Sequence, residues 1–138
     1  MTKRPLATAA QLVLLVPLSL LLAVFHGFVG WHKAFASLDE LAQHTAWTVY
    51  LPELLGRAIG WLEMGLALAL IVALIGHFSR PALARVGMWA AIVFVMLEVI
   101  SSWVHYRHGE VFMLKQNAAS VGMTALLAWL YHARSAKR

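Results

Sequence analysis

The sequence predicts an all-α integral membrane protein: a four-helix bundle with a short interfacial helix in its first outer loop. Three observations predict it. Hydrophobic residues make up 62% of the 138-residue chain and charged residues 12%, whereas a soluble domain is about half apolar and a quarter charged. Four stretches reach or approach the roughly 20 apolar residues that cross a ~30 Å hydrocarbon core. Lysine and arginine gather at the chain ends and in one short loop, as topology signals do. The formal charge of +5 is therefore read as topology, and nucleic acid is excluded as a partner. The chain has no cysteine, which excludes disulfides, iron–sulfur clusters and thiol catalysis within it. Its length suits a single transmembrane domain over residues 1–138.

The first span is expected over Ala9–Phe28. Lys3 and Arg4 precede it, and Ala34-Phe-Ala36 has the form of a signal cleavage site. The run is long for a signal peptide, however, and Lys33 stands directly before the would-be site. A retained helix is expected, kinked at Pro17. The connection Val29–Glu53 is too long for a plain turn. Within it, Ser37-Leu-Asp-Glu40 has the form of a capping box and predicts a short helix to about Gln43 on the outer surface. Trp47 and Tyr50 are expected to anchor its exit at the interface. Pro52 suits the first turn of the second span, Leu54–Phe78. The short connection His77–Arg85 makes that span the antiparallel partner of the third, Leu83–Val104. The fourth, Asn117–Tyr131, is short and is expected to start among the headgroups.

Seven basic residues fall on one side of this arrangement: Lys3, Arg4, Arg80, Arg85, Arg134, Lys137 and Arg138. Four fall on the other: Lys33, Arg57, Arg107 and Lys115. The bias places both termini in the cytoplasm.

Ionisable groups inside spans are expensive and are functional candidates by default. Glu63 lies roughly 13 Å below the outer start of its span and Glu98 roughly 9 Å below the outer end of its own, at 1.5 Å per residue. Both occupy the outer half. The helical period extends the pattern. Glu98, Ser101, Ser102 and His105 share one face, as do Asn117, Ser120 and Thr124, and as do His26, Gly30 and Lys33. Gly56, Gly60, Glu63 and Ala67 form a stripe of small residues carrying an acid, where another helix can approach closely. The inner half is almost wholly apolar. These faces predict an outer-half pocket with a candidate lining of His26, Lys33, Glu63, Glu98, Ser102, His105 and Asn117. Lys33 is expected to neutralise one glutamate, or one glutamate is protonated by burial.

Blander readings stand beside this one. The glutamates can serve as hydrogen-bonding glue between helices. His32, His44, His77, His108 and His132 read as interfacial residues, and the tryptophans as belt or packing residues. No serine has a nucleophile-elbow context, and there is no H-E-x-x-H. His105-x-x-His108 straddles a helix end, and a bis-histidine haem would need His26 and His105 facing each other at one depth. No metal ligand set is assigned, and no cofactor is evident. An apolar slot with a histidine, an acid and nearby aromatics suits a quinone or a lipid head.

Gly30-Trp-His-Lys33 resembles the G-x-x-K element that closes the first helix of the DoxX-like membrane proteins. The glutamate of 60-GWLEMGLALAL-70 resembles the acid near the start of their second helix. His105 and Asn117 are also similar to residues of that family, and the resemblance runs from about Val24 to Tyr131. It implies a small four-helix protein of the bacterial inner (plasma) membrane, with Lys33 and Glu63 as the foremost site residues. The namesake group includes a subunit linked to thiosulfate:quinone oxidoreduction, and other members are associated with membrane redox complexes. A chain with no cysteine and no flavin motif would use quinone directly or anchor a partner. The expected function is therefore binding of a quinone or similar amphipathic molecule within a redox assembly. The alternatives are a non-catalytic accessory or assembly subunit, and an isomerase or hydrolase of a lipid-like substrate with Glu63 or Glu98 as proton donor. Expected partners are the lipid bilayer, redox proteins and a second copy of the chain.

Overall fold

The computed structural model describes residues 4–136, and no strand occurs among them. Lys3, Lys137 and Arg138, counted above as topology signals, lie outside the described residues, as does the side chain of Arg4. The elements are α1 (Arg4–Phe35), α2 (Leu38–Gln43), a 3-10 turn (Trp47–Tyr50), α3 (Glu53–Gly76), α4 (Pro81–Arg107) and α5 (Met113–Ser135).

Local chemistry explains most of the boundaries. Ser37 caps α2 as expected, its hydroxyl accepting from Glu40 N at 3.2 Å. Pro52 is the N-cap of α3 and stands one residue before its first turn. Pro81 opens α4, where a missing N–H is no loss. α1 runs through Pro17 uninterrupted and continues seven residues beyond the expected end at Phe28. α5 starts four residues before the expected Asn117. In both cases the helix continues where apolarity stops, because polar side chains on an inward face do not break a helix.

α1 packs along α3, and α4 along α5; α3 joins α4, and α5 closes back on α1. α1 and α4 thus face each other diagonally. The α1–α3 crossing brings backbone onto backbone at two glycines. A Cβ at Gly30 would stand 2.7 Å from Gly60 O, and one at Gly60 would stand 2.6 Å from Gly30 O. Only glycine allows this approach.

The bundle core towards the start of α1 and the end of α5 is apolar. Leu15, Leu22, Leu70, Phe94, Leu127 and Leu130 fill it. Tyr131 sits among them with its ring against Gly87, where a Cβ would come within 2.7 Å of the ring carbon Cζ. Its hydroxyl stands 3.0 Å from Ser19 Oγ and donates to Leu70 O at 3.5 Å, so one buried group joins α1, α3 and α5. Replacing Tyr131 by phenylalanine strands the Ser19 hydroxyl and is expected to cost about 1 kcal/mol, read as a lower midpoint of thermal unfolding in detergent. His77, expected at the interface, is instead buried, with Nδ1 at 3.1 Å from Ala73 O and 2.9 Å from Leu74 O. The ring thus adds a donor at the carbonyls near the end of α3, where Ala73 O also accepts from the His77 backbone N–H at 3.0 Å.

Three segments are long and apolar enough to cross a membrane: Gln11–Phe35, Glu53–Gly76 and Ala82–Arg107. Their outward faces carry large apolar side chains such as Val13, Val24, Leu68, Ile75 and Ile100, exposed along their length. An apolar surface of this extent belongs in lipid.

Candidate functional site

The site begins at the α1–α3 crossing. Lys33 follows Gly30 by three residues, and Glu63 follows Gly60 by three, so each side chain emerges beside the point where the backbones touch. Lys33 Nζ donates to Glu63 Oε1 at 2.6 Å, and the two residues are 5% and 3% exposed. Of the two glutamates, Glu63 is thus the one that Lys33 neutralises. The ring of Trp47 covers the ammonium at 5.3 Å, within range of a cation–π contact. Trp47 is buried and does not anchor an interface as the sequence suggested. The crossing is tied a second time by Arg57. Its Nη1 donates to Lys33 O at 2.9 Å and Ala36 O at 2.5 Å, and its Nη2 to Glu53 at 3.1 Å. A cation on the orphan carbonyls at a helix C-terminus is favourable.

Beside this pair, α1, α4, α5 and the 44–47 loop enclose a cavity of about 260 Å³. Lys33, Glu98, His105 and Asn117, all expected site residues, border it. Phe25, Phe28, Val29, Trp47 and Met113 supply an apolar wall. Glu63 stands behind Lys33 rather than in the wall, with its second oxygen, Oε2, buried and unpartnered. His26 also lies behind it. Its ring stacks on Phe94 at 4.0 Å, and its Nδ1 is 3.9 Å from Glu98 Oε1.

Ser102 is a correction. Its hydroxyl donates to Glu98 O on its own helix at 2.8 Å, and it does not border the cavity. Ser101 takes its place, accepting from Asn117 Nδ2 at 3.1 Å in the buried α4–α5 contact. One residue along a helix is about 100° of rotation, enough to carry one serine into the wall and its neighbour out of it.

The DoxX-like family matches this chain over residues 17–131. The chain belongs to the DoxX-like family. No curated protein and no solved structure matches it significantly. The match spans every residue of the site just described, including both crossing glycines and the Lys33–Glu63 pair. It also takes in two contributors that sequence reasoning missed in this DoxX-like protein, Glu110 and Tyr50.

Glu110 lies in the turn between α4 and α5, just after Gly109, whose φ of +77° is one that glycine adopts without strain. Its Oε2 is 2.6 Å from His105 Nδ1, and its Oε1 accepts from Tyr50 OH at 2.7 Å. Tyr50 in turn stacks on His108 at 3.6 Å. Burial pushes the Glu110 carboxyl up, but the hydrogen bonds from His105 and Tyr50 and the neighbouring His105 and His108 outweigh it and hold it below the ordinary range. The Tyr50 phenol is pushed above its usual value, chiefly by its bond to Glu110. An ionised carboxylate only accepts, so His105 must donate from Nδ1, and in the neutral ring Nε2 is then the acceptor. No helical spacing links residues 105 and 110, so only the turn geometry reveals the pair.

The cavity of this DoxX-like protein thus offers an ammonium held by a carboxylate, an amide, a histidine of fixed orientation and a second carboxylate, all against aromatic and aliphatic walls. Groups of this kind grip a polar head by hydrogen bonds while the apolar wall accepts its hydrocarbon part.

Proposed function

We propose that this DoxX-like protein binds the polar head of a quinone, or of a similar amphipathic molecule, in the cavity between α1, α4 and α5, and that it works within a membrane redox assembly. One observation carries the reading. A single cavity has a polar wall of Lys33, Glu98, His105 and Asn117 and an apolar wall of Phe25, Phe28, Val29 and Met113. Its volume of about 260 Å³ is near the lower limit for small-molecule sites, which suits a head group rather than a whole large ligand. Lys33 and Asn117 donate to carbonyl or hydroxyl oxygens of the head. His105 accepts from a hydroxyl, and Glu98 carries a proton to or from the ring oxygen.

This reading includes a membrane placement. The fourth long helix, α5, is the least apolar by sequence, but its polar residues Asn117, Ser120 and Thr124 are buried inward, whereas Met123, Leu126 and Trp129 face outward and are exposed. α5 therefore crosses as the fourth span. Arg80, Arg85 and Arg134 fall at the end that holds the termini, and Lys33, Arg57, Arg107 and Lys115 at the cavity end. The termini then face the cytoplasm of a bacterial inner membrane, the cavity opens towards the outer face, and α2 lies along that surface.

Calorimetric titration of the protein in lipid nanodiscs with a short-chain quinone tests the site. Saturable binding is expected, weakened about tenfold in Asn117→Leu and in Glu98→Gln, the loss of one or two hydrogen bonds. Affinity as high as the parent's in both variants, or binding that never saturates, would sink the reading. A second reading makes the chain a non-catalytic assembly subunit whose polar residues only register its helices. It is favoured by the direct Lys33–Glu63 bond, which joins α1 to α3 at their crossing. Stability that depends on a co-purified partner, with no quinone bound, would support it.

A further inference from the structure

We propose that His32, Glu40 and His44 form a site for a divalent transition-metal ion, zinc in the first instance, at the rim of the cavity. His32 lies in the last turn of α1, Glu40 in the first turn of α2, and His44 is the C-cap of α2. Glu40 and His44 are four residues apart and so share one side of that short helix. The chain reverses through Ala36 and Ser37, which lays this side over the end of α1. One ligand atom from each of the three residues lies within 4.8 Å of the other two. Glu40 Oε1 is 3.8 Å from His32 Nδ1, and the two imidazole rings stand 5.2 Å apart, edge to face.

The donor set fits zinc. Two histidines and one carboxylate are the ligands of a site that keeps one position open. Bonds of about 2.0–2.1 Å place neighbouring tetrahedral ligand atoms about 3.3 Å apart. Closing from the observed spacing needs only side-chain rotation and a small shift of α2. Glu40 and His44 are exposed and free to turn. α2 has only six residues, and just past its C-cap His44 comes Thr45 at φ +51°, a break in regular backbone.

The His32 ring is also uncommitted: Nδ1 faces Glu40 at 3.8 Å, beyond hydrogen-bond reach, and Nε2 is buried without a hydrogen-bond partner. Buried polar atoms are nearly always satisfied. The capping-box pattern assigns Glu40 to the backbone of Ser37, yet the Glu40 carboxylate is turned towards His32. His32 and His44 also border the cavity, so the three ligands stand at its rim. The site does not depend on what fills the cavity.

Equilibrium dialysis of the tag-free, chelator-stripped full chain against buffered Zn²⁺, with bound metal counted by mass spectrometry, tests the proposal. One zinc per chain is expected. Loss of a group that merely supports a ligand typically weakens binding 10- to 100-fold, so His44→Ala and Glu40→Gln should each weaken it by more than about tenfold. His132→Ala, an exposed histidine at the other end of the fold, should bind as the parent does. Zinc should also raise the thermal midpoint of the parent and leave that of His44→Ala unmoved. Sub-stoichiometric zinc, or zinc affinity in His44→Ala and Glu40→Gln equal to the parent's, would reduce the cluster to a plain histidine–glutamate contact and overturn the proposal. Both substitutions fall on exposed side chains, so loss of fold does not confuse the result.

Discussion

Lys33→Met is expected to destabilise the protein by about 3–5 kcal/mol, the usual result of removing one partner of a buried ion pair. The Glu63 carboxylate is 3% exposed and already has one unpartnered oxygen, so without the ammonium it has neither water nor countercharge. Glu63→Leu should cost a similar amount by stranding Lys33. The double variant Lys33→Met/Glu63→Leu should recover most of the loss, because an apolar pair of similar volume needs no compensation. Reversible unfolding of the four proteins in mixed detergent gives the coupling as a double-mutant cycle. If the double variant is as unstable as the sum of the singles, the pair is not what holds α1 to α3. The same four proteins, titrated with quinone, separate packing from binding. A stable double variant that no longer binds would place the ammonium in the site as well as in the scaffold.

Bulk at the crossing glycines should be the second large effect. At Gly60 even an alanine Cβ would sit 2.6 Å from Gly30 O and 2.7 Å from Ala34 N, and at Gly30 it would sit 2.8 Å from Glu63 Cβ. These neighbours are backbone or the first side-chain carbon and cannot rotate away. α1 and α3 must separate, which for overpacking costs about 1–3 kcal/mol, and the Lys33–Glu63 bond lengthens with them. Gly60→Leu is therefore expected to give little folded, monodisperse protein, with Gly60→Ala intermediate. Gly122 is the control, since nothing lies within 4 Å of a Cβ built there. Gly122→Ala should be neutral or slightly stabilising. A normal midpoint in Gly60→Ala would mean that the helices do not cross as closely as described.

The sequence revealed most where one helix carries the information by itself. The period of 3.6 put Lys33 beside Gly30 and Glu63 beside Gly60, and shared spacing from two glycines is what joins the acid to the base. The same period placed Glu98, His105 and Asn117 on inward faces, and all three border the cavity. It left Ser101 and Ser102 undivided, because neither is far enough from the centre of the face for the pattern to choose. His26 was placed on the right face, but its burial behind the wall depends on Phe94 from the opposite helix. Trp47, Tyr50 and Glu110 were misread or missed because loops have no period. Their partners are fixed by how two connections meet, which only tertiary packing decides. His77 was misread for a related reason: its partners are carbonyls of its own helix end, and hydropathy does not register them.

The bond between Tyr50 and Glu110 has a mechanical consequence. It joins the two connections at the cavity end, one forming the roof through residues 44–47 and the other holding His105 by its Nδ1. The roof and the histidine are thus linked like a latch and its bolt. Any displacement of the loop therefore pulls on the carboxylate that orients the imidazole. The position of the loop and the orientation of the imidazole thus form one mechanical unit, held at a single carboxylate.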